Sequence, residues 1–169
     1  MKTETLKKIA ETLEDIGFCA SVAEASEAVP MDTLLAALPG EAEEGHFVVC
    51  TPMEEDDNEY TAYIQMYYEI PMDIEGIDER DLWRAVNKMN TVTLAGHFAA
   101  ELEDERRKRI YMRHSFLYDV EAGVYPLTFC DCMQKMLEYG AMMEEILAGL
   151  HSGMDLDTIL EAEELTGEE

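Results

Sequence analysis

The sequence predicts an α+β fold: an antiparallel sheet of about five strands with helices mainly on one face. Three observations carry this reading. Apolar residues recur at helical spacing in three separated stretches, 3–17, 78–90 and 127–150. Strict alternation of period two marks 60–70 and 110–116. The strands also come in runs, a meander and then a hairpin. Single strands alternating with helices would imply a parallel sheet instead.

In chain order, the first helix covers 3–17. Leu6, Ile9, Leu13 and Ile16 share a face, Thr3 or Thr5 can cap it, and Gly17 can end it in the left-handed conformation. Residues 18–31 are ambiguous: alanines and glutamates permit helix, while serines and Pro30 favour an irregular link. Residues 33–38 read as a strand although Leu34-Leu35-Ala36-Ala37-Leu38 has helical propensity, because the segment is short and bracketed by Pro30 and Pro39-Gly40. Residues 46–52 make a second strand, β-branched and aromatic. After the acidic turn Glu54–Glu59, residues 60–70 make a third, with Ala62, Ile64, Met66, Tyr68 and Ile70 on one face.

Asp78 is the expected N-cap of the second helix, whose buried stripe is Leu82, Ala85, Val86 and Met89. A hairpin follows, with Phe98, Ala100 and Leu102 alternating in one strand and Ile110, Met112, His114 and Phe116 in the next, turning at 104–107. Tyr125-Pro126 stops the sheet. The third helix, 127–150, has Phe129, Met133, Met136, Gly140, Met143, Leu147 and Leu150 on a broad face, and Gly153 can terminate it. Residues 1–153 therefore read as one domain. Residues 154–169 form either an acidic tail or a short helix docked through Leu156, Ile159, Leu160 and Leu165.

The charge is one-sided: 38 acidic against 12 basic residues give a net −26. Such a field repels phosphate backbones and anionic lipid, so no nucleic acid and no membrane partner is expected. No apolar run approaches the ~20 residues of a membrane span, and the opening Met-Lys-Thr-Glu-Thr-Leu runs straight into an amphipathic pattern, so no signal peptide is expected. The four cysteines, Cys19, Cys50, Cys130 and Cys132, form no zinc set. They fit free thiols in a reducing cytoplasm.

Catalytic and cofactor signatures are missing. Glu54–Glu59 crowds carboxylates, but a calcium loop counted from Asp56 places Thr61 and Tyr67 where glycine and glutamate belong. His46, His97, His114 and His151 include no i, i+4 pair on a helix, and no serine lies in a G-x-S-x-G elbow. No glycine-rich phosphate loop is present. Cys130-Asp131-Cys132 opens a helix, where a thiol pKa can fall, but Asp131 opposes this. No metal, cofactor or catalytic residue is assigned, and the expectation is a protein that is not an enzyme.

Two features remain. Five of the twelve basic residues lie at Arg106, Arg107, Lys108, Arg109 and Arg113, where Glu101 and Glu103 can pair with them across the hairpin. The sheet face with Tyr63, Gln65, Tyr67, His97, Tyr111 and Arg113 reads either as a partner or dimer surface or as an ordinary half-exposed face.

Four stretches resemble the YbjN-like family, a bacterial family assigned to sensory-transduction regulation and related in fold to type III secretion chaperones. They are Leu34–Pro39, Tyr63–Pro71, the helix with Asn87 and Asn90 followed by Gly96-His97-Phe98, and Ile110-Tyr111-Met112-Arg113. The resemblance implies a non-enzymatic, often dimeric protein whose surface holds an extended stretch of a partner. The expected function is a protein-binding or chaperone-like regulatory module, a homodimer, with a partner that is basic or carries a disordered segment. The alternative is an acidic inhibitor or nucleic-acid mimic that occupies the basic site of another protein.

Overall fold

The computed structural model describes residues 2–27, 30–53, 60–103 and 108–162. Its element order is α1 (Lys2–Asp15), β1 (Cys19–Ala23), β2 (Thr33–Ala37), α2 (Pro39–Glu44), β3 (Val48–Met53), β4 (Thr61–Glu69), α3 (Glu79–Val92), β5 (His97–Glu101), β6 (Arg109–Asp119), α4 (Pro126–His151) and α5 (Leu156–Ala162). The fold is α+β, with an open antiparallel sheet of six strands in the order β1-β2-β3-β4-β6-β5. The expected acidic turn at 54–59 and the hairpin turn at 104–107 lie outside the described residues.

The additional strand is β1. It comes from the ambiguous segment 18–31 and pairs antiparallel with β2, Cys19 opposite Ala37 through Ala23 opposite Thr33. Residues 33–37 are a strand, against local helix propensity, because they are paired on both sides: Leu34 also lies opposite Cys50 and Ala36 opposite Val48. The short helix α2 was not expected. Pro39 begins it, and the chain leaves it through Gly45.

The chain divides into two compact units. The first comprises Met1–Tyr68 and Arg113–Gln134. In it α1 packs on β1 and β2, with Leu6, Ile9, Ala10 and Leu13 buried. Ile16, expected on that face, lies beyond the last helical turn and is exposed. Gly17, at φ 98°, ends α1, and Phe18 N–H reaches back to the Leu13 carbonyl at 2.9 Å. Thr3, an expected cap, instead donates its hydroxyl to Asp32. The strands bury one face: Leu34, Cys50 and Met66 form a continuous cross-strand row, as do Ala36 with Val48 and Pro52 with Ile64. Phe116 of β6 meets Phe129 of α4 edge-on, with ring centroids 5.4 Å apart.

The second unit comprises Glu69–Met112 and Lys135–Glu169. Asp78 caps α3 as expected, its carboxylate accepting the Arg80 N–H at 2.9 Å. The α3 stripe Leu82, Ala85, Val86 and Met89 is buried, and α3 packs on β5. Met136, Met143, Ile146 and Leu147 of α4 are buried, as are Leu156, Ile159 and Leu160 of α5. A Cβ at Gly149 would sit 2.7 Å from Ile159 Cδ1, so this glycine lets α5 approach α4 closely.

Candidate partner-binding surface

The register places the first unit's second sheet face residue by residue. Ser21 lies opposite Leu35, Leu35 opposite Val49, and Val49 opposite Tyr67, forming one row across four strands. Thr51 pairs with Gln65 and Met53 with Tyr63. Two hydrogen bonds at opposite ends of the β4–β6 pair, Val120 N–H to Tyr60 O and Ile70 N–H to Ile110 O, fit one antiparallel register. That register sets Tyr67 opposite Arg113, Gln65 opposite Ser115 and Tyr63 opposite Leu117.

Tyr63, Gln65, Tyr67 and Arg113 of the expected surface are therefore brought together on this face, all half-buried. Met53 (42% exposed) and Leu117 (52% exposed) flank Tyr63, and the sequence reading named neither. Within the first unit this face carries one cation, Arg113, and a single carboxylate, Asp119, at the far end of β6. Glu69, the next residue of the same alternation on β4, belongs to the second unit and is paired with Arg109. Asp119 is engaged in its own turn, accepting the N–H groups of Glu121 and Ala122. A chain of net −26 thus keeps the first unit's part of this sheet face almost free of acid. Arg113 makes no hydrogen bond or ion pair among the described residues, unlike the cross-strand pairing expected for it.

The other two expected residues belong to the second unit. His97 is exposed at the start of β5. Tyr111 lies beneath the Arg109 guanidinium, 5.6 Å from the ring centroid. Arg109 forms a cross-strand pair expected of the hairpin, to Glu101 at 2.7 Å, and one that was not expected, to Glu69 of β4 at 3.1 Å. One guanidinium is thus shared between two carboxylates.

The thiols show no sign of activation. Burial pushes Cys50 up to about 12. Burial, then the charge of Asp131, raises both Cys130 and Cys132. Cys19 is exposed on β1. Among the described residues, no group of three or more His, Cys, Asp or Glu could hold a metal ion, and no helix is long and apolar enough to cross a membrane. A cleft of about 520 Å³ lies between α3 and α5, where Arg84 is already paired to Asp157 at 2.5 Å.

The sheet ends supply a feature the sequence did not reveal. At β5 the Asn90 side chain accepts the Phe98 N–H at 2.7 Å and donates to the Phe98 carbonyl at 3.0 Å. One carboxamide thus closes both outward backbone groups of an edge residue. The signal was an asparagine late in a helix, where its propensity is poor.

Among solved structures, the chain is similar to the crystal structure of YbjN, named as a candidate transcription regulator from E. coli. The TM-score is 0.46 and the identity 17%, with 85% of this chain and 89% of that chain covered. No protein-family model matches the chain, and no curated protein matches it. The likeness is distant and does not place the chain in a family.

Proposed function

We propose that this chain is a non-enzymatic protein-binding module that holds an extended, basic segment of a partner, in the manner of a chaperone-like regulator. The observation that carries the reading is the second sheet face of the first unit. Tyrosine, methionine and aliphatic side chains stand half-exposed there, almost without carboxylates, on a chain of net −26. Interfaces have this composition at their centre: charge is depleted, and tyrosine and methionine are enriched. The surrounding acid attracts a basic segment over long range, while burial of rings and aliphatic groups supplies the contact energy.

The test uses fluorescence anisotropy with a short labelled peptide of alternating lysine and valine, at 0.15 M salt, where screening confines charge effects to about 8 Å. Tyr63→Ser combined with Met53→Ser should weaken binding about tenfold or more without lowering the melting temperature, since a few lost apolar contacts suffice for that factor. Binding that vanishes with salt and ignores both substitutions would favour the acidic-mimic reading. Light scattering addresses the expected homodimer. A dimer dissolved by Tyr67→Glu would make this face a self-interface and sink the partner reading.

A further inference from the structure

A sheet that stays open has two edges, each with backbone N–H and C=O groups that no neighbouring strand satisfies. At β5, Asn90 occupies those of Phe98, and the strand ends in Glu101. At β1 the ends are fixed but the middle is not. Phe18 N–H bonds the Leu13 carbonyl at 2.9 Å before the strand, and Ala25 N–H bonds Asp32 Oδ1 at 2.8 Å after it. Among the described residues, no group outside β2 bonds to the backbone of Cys19–Ala23. The strand reads Cys-Ala-Ser-Val-Ala. It has no lysine, no proline and no charge, so it lacks the usual guards against strand pairing. Its side chains are small, and Cys19, Ser21 and Ala23 are exposed. Another strand can approach to the ordinary spacing of about 4.8 Å.

Charge selects the occupant. No lysine or arginine occurs between Lys8 and Arg80, a stretch with 19 aspartates and glutamates. Asp15, Glu24 and Glu27 flank the edge itself. A second copy pairing two-fold about Ser21 would bring Glu24 and Glu27 of each chain toward Asp15 of the other. A basic segment meets the opposite situation at every one of these positions.

We infer that the free edge of β1 takes an extended, basic segment of a partner protein as a further strand of the sheet. Main-chain hydrogen bonds to Cys19–Ala23 give the affinity, and the flanking carboxylates select lysine- or arginine-rich segments. This rests on the protein-binding reading above but names a different surface and mode.

The experiment compares the lysine–valine peptide with two N-methylated versions, methylated at odd or at even residues. In a strand, alternate N–H groups point to the same side. One version therefore removes the donors facing β1, while the other keeps them at equal charge. One version should bind about tenfold or more weaker, as expected for two or more lost hydrogen bonds, and the other should match the parent. The amides of 19–23 should gain hydrogen-exchange protection in the complex. Ser21→Lys should weaken binding similarly with an unchanged melting temperature, and Ser21→Thr should not. Equal binding by all three peptides, with no protection at 19–23, would overturn strand addition. If Tyr63→Ser still weakened binding in that case, the sheet-face reading would survive alone. No binding of the parent peptide would overturn both. A dimer in light scattering that Ser21→Lys converts to monomer would assign the edge to a second copy and overturn the inference.

Discussion

β5 and β1 end the same sheet under opposite conditions. At β5, a helix residue eight positions upstream in the chain folds back and satisfies one residue of the edge: Asn90 holds the N–H and the carbonyl of Phe98. One cation on β6, Arg109, pairs with carboxylates on β4 and β5, Glu69 and Glu101. At β1 no side chain among the described residues performs either task. The strand is uncharged, its flanks are acidic and its backbone edge is unoccupied among the described residues. An unguarded edge invites association, and proteins usually blunt it. A side-chain guard at Phe98 of β5 and none at β1 among the described residues is the contrast on which the proposed strand addition rests.

The largest expected effect comes from removing the guard. Asn90→Ala deletes two hydrogen bonds to an edge residue whose side chain is buried. Urea denaturation should show a loss of about 2 kcal/mol, within the range for leaving backbone groups unsatisfied. Hydrogen exchange at Phe98 should accelerate as well. If stability and exchange stayed unchanged, Asn90 would be a bystander and the contrast between the edges would fail.

A smaller effect is expected at Arg109. Arg109→Ala leaves Glu69 and Glu101 close to one another and removes the cation above Tyr111. The cost should be about 1 kcal/mol and should shrink as salt rises, because the pairs are partly exposed. A salt-independent loss would mean that the arginine stem contributes by packing instead.

The smallest effect concerns the end of β1. The Asp32 carboxyl is held below its ordinary value of 3.8, first by the Thr3 hydroxyl and then by the Ala25 N–H. A carboxyl with a lowered folded pKa stabilises the folded chain above its unfolded pKa, and the contribution disappears as pH falls through the folded value. Wild type should therefore lose stability between about pH 4 and more acid conditions somewhat faster than Asp32→Asn. Parallel stability curves for the two proteins over that range would show that the tie does not hold this end of the strand.

Much of the architecture was legible in the sequence. The α3 stripe, its Asp78 cap, the alternation of β4 and the glycine stops at 17 and 153 are local: periodicity and one residue's backbone freedom are enough. The strand at 33–37 was legible from its proline brackets, against the propensity of its leucines and alanines. The aromatic face was legible in part, since Tyr63, Gln65 and Tyr67 alternate along one strand. Met53 and Leu117 were not, because neither neighbours Tyr63 in sequence.

Tertiary structure alone decided the rest. Cys-Ala-Ser-Val-Ala carries neither helical nor strand periodicity, so it becomes β1 only because β2 offers unpaired backbone groups in register. Thr3 could have capped its own helix, yet its hydroxyl goes to Asp32, which folding brings within reach from 29 residues away. Asn90 stands in the sequence only as part of a resemblance, and its task at Phe98 emerges once β5 lies alongside α3. Whether a strand is an edge, and whether that edge is closed, depends on the pairing of segments distant in the chain. Local pattern therefore shows that a strand can form, and pairing decides which of its sides stays free.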